Sequence, residues 1–407
     1  EAPASVADDV PADAVAAAGT GASRSHDAST PPIATPPPEM RPDQRAMLSK
    51  RFASLTRSFA ADEPPDSVSW KSKGQEYRAE IKRQPTSDPM GTDHVLVEIS
   101  TTENGTRLST ELRMKRLAFS DFAQFIDYWN PAVQMHDDEI DGRFHSNSEI
   151  RVQADRDATA MFHGIVTTAS HDVNIDSTGY VPRSKLFPDG IETGVRRIVL
   201  PKRFVAFPDG SPPRGARVRR LDRDARVTFY ADGTYGWRYL DSAEPEQRER
   251  LGEPAEYILA DRGAVLHVKG VVNGKVLVHS PKDIVIEDDL VYAVPPDAAG
   301  ADDYLGLVAD RSVEIAAPDV TGPGDLTIDG AIYARRDFVV RHYYSSSSGT
   351  LIIHGSLICG AIGATEPRYA TKVEFDPRLA ARRPPSFPLT DRYELESFSG
   401  TWTPNPR

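Results

Sequence analysis

One cysteine, Cys359, is all the thiol this 407-residue chain carries. No intramolecular disulfide can form, so packing and hydrogen bonds must hold whatever fold it adopts. Cationic excess is lacking too. The formal net charge is −12, which excludes a surface that wraps a phosphate backbone wholesale and fits a soluble or an exported protein alike. No apolar run is long enough to cross a bilayer, and no signal peptide is visible. Glu1 leads directly into a tract rich in Ala, Pro and Asp. The chain therefore reads as a mature or truncated form whose targeting segment is gone, with a cytosolic protein bearing a disordered tail as the plainer alternative. Three signatures of chemistry are missing as well: a Ser-His-Asp arrangement, a Cys/His metal cluster and a phosphate-binding Gly loop. The 10 histidines are scattered without metal-ligand spacing. No cofactor is expected.

What the chain does contain is a short recurring pattern: apolar, any residue, Gly, any residue, apolar. It occurs at Ile140-Asp141-Gly142-Arg143-Phe144, Phe162-His163-Gly164-Ile165-Val166, Val268-Lys269-Gly270-Val271-Val272, Ile328-Asp329-Gly330-Ala331-Ile332 and Ile353-His354-Gly355-Ser356-Leu357. A further copy, Ile286-Glu287-Asp288-Asp289-Leu290, has Asp in the Gly place. Corresponding positions in 326–334 and 351–359 lie 25 residues apart, about one layer of a stacked repeat. In a strand, residues i, i+2 and i+4 face the same way, so the Gly is the middle inward residue. At a corner it accepts the dihedrals of the bend and brings no side chain against the next wall. Short β-branched strands flank these copies. The fold expected is mainly β, a parallel β-helix or similar stacked-coil solenoid. Cys359 continues the alternation of Leu351, Ile353, Gly355 and Leu357, so it reads as a buried small hydrophobe.

The organisation expected along the chain has four parts. Residues 1–42 are poor in apolar bulk and read as a disordered Pro/Ala-rich tether. Residues 43–135 combine a helix with strands. Met47, Leu48, Phe52, Leu55 and Phe59 fall on one face of a helix over 43–60, with Asp43 near its positive end. Alternating strands follow across 68–117, with a hairpin turn at Asn104-Gly105. Phe119, Phe122, Phe125, Ile126 and Trp129 then fall at helical spacing, which predicts an aromatic-faced helix over 117–129 with Ser120 as its cap. The repeat occupies 136–360, interrupted by an irregular insertion at about 182–256. That insertion holds an Arg cluster (Arg214, Arg217, Arg219, Arg220, Arg223, Arg226), read as a solvated or salt-bridged edge, and a hairpin around Asp232-Gly233. Residues 241–253 read as a short helix or linker, and 361–407 as a closing segment.

Several of these segments resemble PilX-type type IV pilus assembly proteins, in which a pilin-like N-terminal part precedes a repetitive β domain of unknown function. The resemblance rests on 95–125, on Asp141-Gly142-Arg143-Phe144-His145-Ser146-Asn147 and on Ile284 to Tyr292. It rests above all on Tyr369 to Phe375, followed by Asp376-Pro377-Arg378-Leu379 and Pro384-Pro385-Ser386-Phe387-Pro388. It implies a small α+β pilin-like part at the N-terminal side, a cell-surface, extracellular or periplasmic location, and pilus or cell-envelope proteins or surface glycans as partners. It also implies a long hydrophobic helix at the start of the protein, which residues 1–42 do not supply.

No residue set is expected to be catalytic, cofactor-binding or metal-binding. Two groups stand against that expectation. His145 and Asn147, with Asp137, Asp138, Glu139 and Asp141 nearby, offer oxygen ligands that suit Ca²⁺, but they lack a calcium-loop spacing, and Asn at a corner commonly serves the backbone. Asp283, Asp288, Asp289 and Asp329 would be the acids of a β-helical polysaccharide hydrolase or lyase, yet they fall at strand ends, where Asp is common. Tyr343-Tyr344 and Ser345 to Ser348 form a polar loop tip. The function expected is a non-enzymatic structural protein, a rigid spacer or adhesive surface. A secreted carbohydrate-active enzyme or lectin is the alternative.

Overall fold

The computed structural model describes residues 39–59, 65–154, 159–177, 179–345 and 349–404. The expected tether lies, except for its last four residues, outside the described residues. The protein is mainly β, and its sheets do not close into a barrel.

Helix α1 (Pro42–Phe59) starts on a proline, which loses nothing there because the first-turn N–H groups have no intrahelical partner. Leu48, Phe52, Leu55 and Phe59 recur every three or four residues and are all buried. They pack on an antiparallel sheet of β1 (Ser67–Ser72), β2 (Gln75–Gln84), β3 (His94–Glu103) and β4 (Thr106–Ala118). Asn104 and Gly105 take φ of 50° and 76° at the β3–β4 turn, the left-handed pair that such a two-residue hairpin requires. The sheet is completed by the other end of the chain. Leu389–Phe398 pairs antiparallel with β4 over Leu389↔Ala118 to Phe398↔Leu112, and Thr403 pairs with Ser109. Trp402 is buried against α1, where its indole N–H donates to Gln44 Oε1 at 3.1 Å.

The described residues between β4 and Leu389 form a second body, built mainly of parallel ladders. One face is ordered Arg217–Leu221, Glu256–Ala260, Lys275–Ser280, Tyr304–Ala309, 331–334, 357–361, Gln124–Tyr128, Phe144–Ser146, Val166–Thr168, Ile191–Thr193. A second runs through Ala225–Tyr230, Leu266–Val272, Ile284–Tyr292, Val313–Ile315 and 338–340. A third joins 326–330, 351–355, Tyr369–Phe375, Glu139–Asp141 and Met161–His163. Leu326 lies on Leu351 and Gly330 on Gly355, so the spacing of 25 is the register of neighbouring layers.

The layers are not stacked in chain order. The chain enters midway at Gln124–Tyr128 and builds outward to Ile191–Thr193. It then crosses to the far end at Arg217 and builds back until its last layer meets its first, Cys359 beside Ile126. Residues 195–216 make that crossing as a strap over the outside of the first face. Along it, Val195 N donates to Thr168 O at 3.1 Å, Arg335 Nε to Pro201 O at 3.2 Å and Phe204 N to Asp310 Oδ1 at 3.1 Å, and the Phe207 ring lies 4.8 Å from that of Tyr257. Ile198 and Phe204 of the strap join Phe119, Phe122 and Phe387 over the outward side chains Tyr257, Leu277, Val308, Tyr333, Phe125 and Ile358. This face is thus buried on both sides, and Tyr304–Ala309 is buried at every position, as in parallel sheets covered on both faces.

That double burial gives 117–129 a structure other than the helix its spacing predicts. Residues 119–121 form one 3-10 turn, and Gln124–Tyr128 is a strand, not a helix. Phe125 points out to the strap cluster and Ile126 into the layered core. Adjacent apolar residues on opposite faces reproduce helical spacing when both faces are covered. Residues 241–253 likewise contain a strand, Gln247–Arg250, which pairs with Thr234–Tyr239 as the third strand of the Asp232-Gly233 hairpin.

The corner glycines Gly142, Gly164, Gly330 and Gly355 all take positive φ, between 115° and 147°. At Gly164, Gly330 and Gly355 the nearest atom that excludes a side chain is a backbone oxygen of the next layer, and at Gly142 it is the Cβ of Phe375. A Cβ on Gly355 would sit 2.0 Å from Gly330 O, and one on Gly164 2.8 Å from Gly142 O.

Candidate functional site

His145 and Asn147 sit under the strap, both buried. Asn147 Nδ2 donates to Ile198 O at 2.6 Å and to Asp127 Oδ1 at 2.7 Å. Its Oδ1 accepts from Ile198 N at 2.9 Å and lies 3.0 Å from His145 Nε2. Asn147 therefore clasps strap to layer. With Oδ1 facing it, His145 Nε2 carries the proton, and Nδ1, 2.7 Å from Thr167 Oγ1, accepts. Burial pushes the His145 imidazole down to about 4, so it is neutral at pH 7. These two side chains serve the fold.

Asp283, Asp288, Asp289 and Asp329, the candidate acids for hydrolysis, do not converge. Asp283 Oδ1 accepts from Ser312 N at 3.1 Å and Asp289 Oδ1 from Thr327 N at 2.8 Å, each clipping one layer to the next. Asp288 is exposed. The Arg cluster forms an edge of ion pairs: Arg217 and Arg219 with Glu249, Arg223 with Asp241, Arg226 with Glu287.

Asp329 is different. In the third face the residues just before the corner align in one outward column: Asp329 beside His354, His354 beside Glu374, Glu374 beside Asp141, Asp141 beside His163. His354 Nδ1 lies 2.9 Å from Asp329 Oδ1, and its Nε2 lies 2.9 Å from Glu374 Oε2. Asp329 also accepts from Tyr292 N at 2.8 Å. The hydrogen bond to Asp329 and the charges of both acids raise the His354 imidazole above its ordinary value. Lys372, 2.8 Å away, holds Glu374 below its own. The column opens on a cleft of about 660 Å³ walled by Tyr292, Pro295, Pro296 and Phe375, with the Asp376–Arg378 ion pair at its end. The recurring pattern contained the signal for this column. Asp329, His354, Asp141 and His163 all occupy the position before Gly, which points outward and stacks. Glu374 had no such mark, because Phe375 stands in the Gly place.

The acids Asp137, Asp138, Glu139 and Asp141 are split. Glu139 is 3.5 Å from Lys372, and Asp141 lies in the outward column. Asp137 lies against Glu366 and His136, with one ligand atom from each of the three within 4.8 Å of the others. Burial and the Asp137 charge push Asp138 up to about 7, and Asp137 pushes Glu366 up to about 8. Tyr343 and Tyr344 are exposed, and residues 346–348 of that loop lie outside the described residues.

No protein-family model matches the chain, and no curated protein matches it. Among solved structures it is similar to the crystal structure of the competence-associated pilin ComZ from Thermus thermophilus, with a TM-score of 0.34 and 10% sequence identity over 89% of this chain and 96% of that one. A superposition of that size does not carry a fold or a role across. No helix among the described residues is long and apolar enough to cross a membrane.

Proposed function

We propose that the chain is a non-enzymatic structural subunit of the cell envelope, associated with a pilus. In this reading the helix-packed sheet is a pilin-like body, and the parallel ladders form a β-helix displayed from it as a rigid spacer or adhesive surface. One observation carries the reading: the layered body is inserted between two neighbouring strands of the sheet, β4 and Leu389–Phe398. It leaves and rejoins the sheet at adjacent points, so the sheet keeps its core while a stiff body projects from one edge. Asp283 and Asp289, outward-facing acids of the layers, are spent on backbone N–H groups, which is the work of a scaffold. The PilX-type resemblance at 369–388 supports the same reading, because those residues form the last layer and its return to the sheet. Immunogold labelling of producing cells with antibody against the layered body is expected to mark surface filaments. Labelling confined to the cytoplasm would sink the proposal.

A second reading, glycan binding in the His354 cleft, is favoured by its apolar wall beside two carboxylates and an imidazole, the mixture that sugar faces and hydroxyls require. Lys372 holds Glu374 below its ordinary value, and this second reading is of binding.

A further inference from the structure

The first and last layers meet at a seam, and a cavity of about 170 Å³ lies in it. Its walls come from both layers: Gln124, Met135, Asp138 and Ile140 from the first, Thr365, Glu366 and Thr371 from the last. Gln124 is fully buried, and neither its Oε1 nor its Nε2 has a hydrogen-bond partner among the described residues. Leaving a buried polar group unpaired costs about 1–3 kcal/mol, so a complete amide without partners, lining a polar cavity, marks a place for something that binds there. Glu366 lines this cavity, and it also belongs to the trio His136, Asp137 and Glu366, whose ligand atoms gather within 4.8 Å. Asp138 stands beside them, its Oδ2 accepting from His136 N at 3.3 Å. Carboxylates crowded in this way repel each other, and a cation removes the repulsion.

We propose that the seam holds a divalent cation, with His136, Asp137 and Glu366 as its protein ligands, Asp138 adding negative charge behind them and Gln124 hydrogen-bonded to water on the ion's inner side. One imidazole with two carboxylates suits a first-row transition ion such as Zn²⁺ or Mn²⁺ over Ca²⁺, which prefers an all-oxygen shell. His136 and Asp137 come from the loop after Gln124–Tyr128, and Glu366 from the loop before Tyr369–Phe375. The ion therefore ties together two layers that are more than two hundred residues apart in sequence. The inference is independent of the pilus reading.

The test uses the whole chain, stripped with EDTA and then titrated with ZnCl₂, MnCl₂, CaCl₂ or MgCl₂, with bound metal counted and thermal unfolding followed. Expected are one Zn²⁺ or Mn²⁺ per chain and a rise in Tm of roughly 3–6 °C at a hundredfold excess over Kd. Hydrogen exchange should slow in 363–371. Glu366→Gln should abolish the rise while its Tm in EDTA stays at or above that of the parent chain, because removing one of the crowded carboxylates relieves repulsion. That comparison separates loss of a ligand from loss of the fold. His136→Ala should weaken Zn²⁺ binding at least tenfold. Metal binding that survives Glu366→Gln, no Tm rise with any of the four ions, or a response to Ca²⁺ alone that ignores His136→Ala would each overturn the proposal.

Discussion

Gly355→Ala is expected to destabilise the protein by roughly 2–6 kcal/mol. Two costs add. Gly355 has φ of 147°, where an L side chain is strained by about 1–3 kcal/mol. Its Cβ would also meet Gly330 O at 2.0 Å and Gly330 C at 2.8 Å. Those are main-chain atoms in a register of parallel pairs that runs from Leu326↔Leu351 to Phe338↔Ile362, so neither can turn away as a side chain would. Relief requires moving a whole layer, and overpacking of that kind typically costs about 1–3 kcal/mol more. Gly74→Ala is the control. Gly74 also has positive φ, 79°, but no atom of the described residues lies within 4 Å of an added Cβ, so only the conformational penalty of about 1 kcal/mol applies. Thermal and urea unfolding of the two variants separate strain from collision. Equal losses would show that the layers are not in contact at that corner.

Asn147→Ala is expected to release the strap and cost roughly 3–5 kcal/mol. The amide satisfies both the N–H and the C=O of Ile198 together with one ring nitrogen of His145, and its loss strands all of these in a buried place at about 1–3 kcal/mol apiece, less what water regains. Amide exchange should rise along 195–207 before it rises in the layers beneath. The same clasp makes the protein acid-sensitive. Burial lowers the His145 imidazole to about 4, against the Asn147 bond and Asp127, which favour its charge, while Arg392 and Arg197 disfavour it. Its folded value lies below its unfolded value of about 6.5, so its contribution is fully present above pH 6.5 and is lost as pH falls towards 4. Over that window stability should drop by roughly 2–4 kcal/mol, and His145→Gln should flatten the drop. An unchanged profile in that variant would place the titrating group elsewhere.

Which parts of this were legible in the sequence follows from which contacts are local. The glycine corners and the 25-residue register were legible because Gly330 and Gly355 stack on consecutive passes of the same chain. The Asn104-Gly105 hairpin and the apolar stripe of α1 are local by nature. The seam was not. Leu357 pairs with Gln124 and Lys372 with Glu139, partners separated by the whole layered body, and nothing near either residue encodes the other. The strap was hidden for the opposite reason. Its prolines and missing periodicity are those of an irregular loop, and its register comes entirely from the layers it crosses. The chemistry follows the same division. The Asp329–His354 pair repeats a motif position, whereas Glu366 joins Asp137 only because the seam closes. Phe125 and Ile126 mark the cost of assuming that one face of an element is always wet.

The seam itself admits a direct measurement, because the chain brings a single thiol to it. Cys359 lies beside Ile126 across the junction of the last and first layers, with both side chains in the layered core. Neighbouring strands hold Cα atoms within the span that a disulfide can bridge. Ile126→Cys, refolded in a glutathione redox buffer, is expected to form an intramolecular disulfide with Cys359 and to migrate faster on a non-reducing gel. Adding Cys359→Ser should abolish the shift. A folded Ile126→Cys protein whose two thiols stay quantitatively free would contradict the order of layers, and with it the inserted body on which the functional reading rests.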